Sequence, residues 1–89
     1  MILHTEGTVG PMSHGSIELD IPANYKLASY DIHVRDEQNP WTQPIVIGWC
    51  AWDSNKTEFT ADGGVKISVG LNNWSGERPR FIQIVANVT

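Results

Sequence analysis

The sequence predicts a small all-β fold: an antiparallel β-sandwich of jelly-roll-like type, with six to seven short strands and no significant helix. Three observations carry this. Apolar and polar residues alternate in run after run, the period of a half-buried strand. No stretch of a dozen residues keeps apolar positions at the i, i+3, i+4, i+7 spacing of an amphipathic helix. The 8 Gly and 5 Pro mostly fall in or beside the connections between runs, where turn chemistry is wanted. Strands this closely spaced leave no room for crossover helices, so they pair antiparallel.

The elements follow in chain order. "ILHT" reads as a minor strand, and residues 1–15 as an N-terminal arm or an edge strand. "SIELDI" sets Ile17, Leu19 and Ile21 on one face, with Glu18 and Asp20 on the other. "YDIHVR" points Tyr30, Ile32 and Val34 inward and Asp31, His33 and Arg35 outward. "PIVIGWCAW" is apolar throughout and reads as a strand buried on both faces. Counted by strand parity, Ile45, Ile47, Trp49 and Ala51 line the core, while Val46, Gly48, Cys50 and Trp52 form a second apolar face that needs a cover. "TEFT" adds a minor strand. "VKISVGL" turns Val65, Ile67, Val69 and Leu71 inward, and "FIQIVANV" does the same with Ile82, Ile84, Ala86 and Val88. "IPAN", "DEQNPWTQP", "DSNK", "ADGG" and "NNWSGERP" read as the connections, and Asp62-Gly63-Gly64 suits the positive φ angles of a tight hairpin.

Size and charge narrow the function classes. A chain of 89 residues makes one domain, residues 1–89, with a thin two-layer core. Hydrophobic residues at 40% are too many for a disordered chain. The formal net charge is -4, and the six basic residues are scattered apart from the close pair Arg78 and Arg80, so nucleic acid is not an expected partner. The longest apolar run covers roughly nine residues, against the ~20 of a spanning helix, so no membrane span is expected. "MILHTEG" carries neither the positive n-region nor the apolar run of a secretory signal, and a single cysteine allows no internal disulfide. A soluble protein is expected, with its compartment open.

Chemistry-bearing residues point to binding rather than catalysis. His4, His14 and His33 lack tight ligand spacing, so neither a metal nor another cofactor is expected. "DSNKTE" opens like a calcium loop but lacks its glycine, and Gly64 stands where the bidentate acid belongs. There is no nucleophile elbow, and Cys50 has no basic neighbour in sequence, so an enzyme is not expected. Alternating strand direction places Trp52, Asp53, Asn55, Asn72, Asn73, Trp74, Glu77 and Arg78 at one end of the sandwich and Trp41 at the other. Flat indoles with amide, carboxylate and guanidinium groups suit a sugar, while Trp and Arg are also the residues that dominate protein contacts. Two function classes result. The first is an assembly subunit, forming homo-oligomers or decorating a larger particle, of which virion accessory proteins such as capsid-decorating or tail subunits are the best example. The second is a small carbohydrate-binding module or lectin.

Overall fold

The computed structural model describes residues 1–42 and 47–89, so the expected placing of Ile45 and Val46 lies outside the described residues. Six strands form: β1 (Ile2–Val9), β2 (Ser13–Ile21), β3 (Leu27–Arg35), β4 (Cys50–Phe59), β5 (Val65–Asn73) and β6 (Arg80–Val88). They make two antiparallel three-stranded sheets, β1-β6-β3 and β2-β5-β4. The nested pairing of β1 with β6 and β2 with β5, with β3 and β4 added to opposite sheets, is what a rolled antiparallel ribbon gives. This is jelly-roll winding in a six-stranded form. Among the described residues, no helix is long and apolar enough to cross a membrane.

The inner faces follow the alternation in sequence. Each central strand is flanked on both sides and covered by the opposite sheet, so Ile67, Val69 and Leu71 of β5 and Ile82, Ile84 and Ala86 of β6 are fully buried. Leu19, Ile21 and Val34 join them from the edge strands, with Tyr30, Ile32 and Ile17 packed alongside. The polar partners line the outer face in rows. In one row Gln83 donates to Glu6 Oε1 at 3.0 Å and its own Oε1 lies 3.2 Å from His33 Nδ1.

The sandwich is pinned on one side and open on the other. Strands β1 and β2, joined through residues 10–12, cross from one sheet to the other and approach closely. A Cβ at Gly7 would lie 2.5 Å from Ile17 Cγ2, and one at Gly15 would lie 2.9 Å from Val9 Cγ2. Each glycine thus leaves the space that the facing side chain fills. On the opposite side β4 carries a bulge between Trp52 and Ser54, after which Asn55, Thr57 and Phe59 pair with Val69, Ile67 and Val65 and share the inner face. All three are nevertheless exposed, because the β1-β6-β3 sheet does not cover them. The Tyr30 hydroxyl spans part of this gap, donating to Asn55 Oδ1 at 3.0 Å and lying 3.3 Å from Thr57 Oγ1.

Of the two expectations for the N-terminal segment the edge strand forms, and two other local expectations are corrected. "ILHT" is part of a full edge strand, anchored where the Met1 ammonium donates to Val88 O at 3.0 Å. "DSNK" is not a turn, and "TEFT" is not a separate strand, since both lie within the ten residues of β4. An edge strand uncovered on both faces needs no apolar alternation, so its letters resemble those of a loop. The turn at Asp62-Gly63-Gly64 forms as expected, with Gly63 at φ 88° and Thr60 N–H donating to Gly64 O at 3.0 Å.

The close approach of β1 and β2 makes a direct prediction. Gly7→Ala forces a methyl into the Ile17 side chain and is expected to lower stability by about 1–3 kcal/mol in urea unfolding. Gly76→Ala, where no atom lies within 4 Å of the added Cβ, is expected to stay within about 0.5 kcal/mol of wild type.

Candidate binding site at the indole-lined end

The β1–β2 turn, the start of β4 and the β5–β6 loop meet at one end of the sandwich. Two consecutive residues with positive φ, Gly48 (78°) and Trp49 (56°), precede β4, which begins at Cys50. A left-handed pair resets the alternation, so strand parity counted through it gives the wrong faces. Cys50 is buried at 8% exposure and Trp52 packs against both halves of the core, whereas Trp49 is 74% exposed. The expected assignment of Trp49 to the core and Trp52 to a second surface is therefore reversed.

Asn73 holds this end together. It is 1% exposed, and its Nδ2 donates to Val9 O (3.2 Å), Gly10 O (3.0 Å) and Arg78 O (2.9 Å), while its Oδ1 accepts from Ser75 N–H at 3.1 Å. One carboxamide thus satisfies backbone groups from three chain segments. Trp74 N–H donates to Trp49 O at 2.7 Å, and Met12 N–H donates to Ser75 O at 2.9 Å. These bonds leave three large side chains turned outward: Trp49, Trp74 (52% exposed) and Met12 (69% exposed).

Between the indoles lies a cleft of about 490 Å³, lined by Asp36, Ile47, Trp49, Trp74, Arg78 and Arg80 among others. Arg80 sits in phase with Ile82 on the inner face of β6, only 3% exposed, and closes the end of the core. Its Nη1 and Nη2 reach Pro79 O and Gly48 O, each at 3.3 Å, and among the described residues its buried Nε has no hydrogen-bond partner. None of the ion pairs among the described residues includes Arg80. Burial pushes the Asp36 carboxyl up, but the Asn39 side chain, the Gln38 and Asn39 amides and the charge of Arg80 together hold it below its ordinary 3.8. The three donors converge on Oδ1, at 2.7 Å from Asn39 Nδ2, 2.8 Å from Gln38 N and 2.9 Å from Asn39 N. Burial pushes the Cys50 thiol up, more than the nearby Arg80 pulls it down, so the sulfur stays protonated at neutral pH. Arg78 Nη1 donates to Gln38 Oε1 at 2.7 Å, tying the β5–β6 loop to the turn after β3.

Of the residues expected at the site, Trp74, Glu77 and Arg78 line the cleft. Asn73 lies behind it as a buried brace rather than a ligand group, and Trp52 belongs to the core. Asp53 lies on the outer side of the β2-β5-β4 sheet, its Oδ2 2.6 Å from His14 Nε2, with Asn72 on the same face. Asn55 sits mid-strand under the Tyr30 hydroxyl. Trp41 is at the same end as Trp74, not the opposite one. Backbone bonds between Val34 and Thr42 (2.8 and 2.9 Å) bring the chain back alongside β3, whereas the expectation had counted one strand too many before Trp74. Its indole stacks on the Arg35 guanidinium, 5.4 Å from the ring centre, with Phe81 on Arg35 at 4.6 Å. The expectation missed Trp49, Asp36 and Arg80. Only Arg80 had a legible signal, an arginine in phase with Ile82 and Ile84.

The chain matches no protein-family model, no curated protein and no solved structure.

Two predictions follow from the geometry of this end. Asn73→Ala removes a buried carboxamide whose two N–H groups are shared among three carbonyls and whose oxygen accepts a fourth contact, and is expected to cost about 3 kcal/mol in urea unfolding, against about 0.5 kcal/mol or less for Asn72→Ala on the outer face. Asp36 has a depressed pKa in the folded state, so its contribution to stability is complete at neutral pH and lost as pH falls below its ordinary 3.8. Acid titration of unfolding should therefore show a shallower loss of stability below about pH 4 in Asp36→Asn than in wild type.

Proposed function

We propose that this protein is a non-enzymatic assembly subunit whose indole-lined end docks on copies of itself or on a larger particle such as a virion. The backbone at Trp49 is the observation that carries the reading. A left-handed conformation costs a non-glycine residue about 1–2 kcal/mol, and the indole it presents is 74% exposed. Burial within the chain does little to offset that strain, and strain of this kind collects at sites of contact. Trp74 and Met12 stand beside it, and the hydrogen bonds of Asn73, Trp74 and Met12 preorganise the surface. Tryptophan is the residue type most able to dominate a protein contact, and a rigid presentation lowers the entropy lost on docking. The protonated, buried Cys50 supports a role without covalent chemistry.

The cleft favours one other reading, a carbohydrate-binding module. Two indoles flank the Arg78 and Arg80 donors and the Asp36 acceptor, a combination that can stack on and hydrogen-bond a sugar ring. We rank it second because the carboxamides expected to complete such a site are placed elsewhere: Asn73 is consumed by the fold, and Asn55 and Asn72 lie away from the cleft.

Trp49→Gly tests the proposal. Glycine accepts the backbone without strain, so the variant is expected to gain about 1 kcal/mol of stability while losing the contact. Sedimentation velocity at micromolar concentration should show wild type associating and the variant falling to a smaller species. An unchanged mass distribution contradicts self-docking. Glycan binding by wild type that is lost in Trp49→Gly would put the carbohydrate reading first.

A further inference from the structure

Three polar side chains from two strands converge over one glycine on the outer face of the β2-β5-β4 sheet. Gly70 lies in the interior of the central strand β5, in register with Ser16 of β2 and Ser54 of β4. A Cβ there would fall within 3.1 Å of Asp53 Oδ1, Ser54 Oγ and His14 Nε2 alike. The three donor atoms thus occupy the space of a side chain, and they bury Gly70 although it faces outward. His14 Nε2 and Asp53 Oδ2 are 2.6 Å apart, even though β5 runs between their strands. The Ser54 hydroxyl donates to Asp53 Oδ1 at 3.4 Å. The bulge between Trp52 and Ser54 allows this, because it turns two successive residues of β4 to one face.

The glycine and the bulge each weaken the sheet, one by removing a packing side chain and the other by interrupting the ladder. The His14–Asp53 pair does little to offset this, since its side chains are 49% and 34% exposed. A strand glycine beside a bulge is the arrangement found where a ligand approaches the backbone closely. We propose that His14, Asp53 and Ser54 form a site for a divalent transition-metal cation of the zinc type. Imidazole nitrogen and carboxylate oxygen are the ligands such an ion takes, with the hydroxyl as a third donor and water completing the shell. Ligand atoms about 2.1 Å from a tetrahedral ion stand roughly 3.4 Å apart. Asp53 Oδ1 and Ser54 Oγ already have that separation, and widening the 2.6 Å contact to His14 admits the ion. The sequence shows no ligand spacing here because the residues come from β2 and β4, which only the sheet brings together. None of the three lines the cleft between the indoles, so the site stands independently of the docking surface proposed above.

The test is calorimetric titration of the full chain with zinc chloride, followed by histidine-selective NMR of the same samples. One zinc ion per chain is expected to bind at submillimolar concentration. Losing an outer-shell partner costs a metal site about 10–100-fold in affinity, so losing a direct ligand should cost at least about a hundredfold. His14→Ala and Asp53→Asn should each show that loss, while His4→Ala and His33→Ala bind zinc like wild type. In the wild-type spectrum, zinc should shift the imidazole signals of His14 and leave those of His4 and His33 in place. That spectrum keeps the test independent of how well any variant folds. Absence of saturable binding at submillimolar zinc overturns the proposal. So does a His14→Ala chain that binds as tightly as wild type, or a zinc shift confined to His4 or His33.

Discussion

The buried carboxamide of Asn73 is the interaction on which the indole-lined end of this molecule depends. It lies at the last residue of β5, in one sheet, and bonds the end of β1 and the approach to β6, both in the other. The same group fixes the first turn of the loop through Ser75. Trp74 follows directly, and its amide holds the carbonyl of Trp49. The position of both indoles is thus tied to one buried side chain, and the solvent-facing surface is braced from the core. A buried amide with one partner fewer would leave a backbone carbonyl unsatisfied in an apolar setting, which costs more than the bond itself contributes.

The rest of the architecture follows from unequal spacing between the sheets. Gly7 and Gly15 let β1 and β2 close until the facing Ile17 and Val9 fill the glycine positions. The far side has no such device. There β4 presents Asn55, Thr57 and Phe59 inward without a cover, and a tyrosine hydroxyl rather than apolar packing bridges to β3. A sandwich of three strands per sheet lacks the width to bury both margins. The consequence is a molecule with exposed aromatic surface at its two ends and polar edges between them.

How much of this was legible in the sequence depended on cover. Strands β2, β3, β5 and β6 each bury one face, so the alternations at Ile17–Leu19–Ile21, Tyr30–Ile32–Val34, Val65 to Leu71 and Ile82 to Val88 announce both strand and face. Strand β4 buries little beyond Cys50 and Trp52, and its polar stretch from Asp53 to Glu58 reads like a loop. The tryptophan faces were misassigned because parity holds only along continuous strand, and backbone torsions at Gly48 and Trp49 interrupt it. The role of Asn73 was hidden for a different reason. An asparagine before a loop looks like a turn former or a ligand group, and only the fold brings Val9, Gly10 and Arg78 within its reach.

The most direct test of the proposed docking surface is oxidative footprinting of the four tryptophans across a protein dilution series. Trp49 and Trp74 should be protected at high protein concentration and become reactive on dilution, while Trp52 in the core and Trp41 on Arg35 keep constant reactivity. Association that proceeds with no change at Trp49 would contradict the assignment of this end as the docking surface.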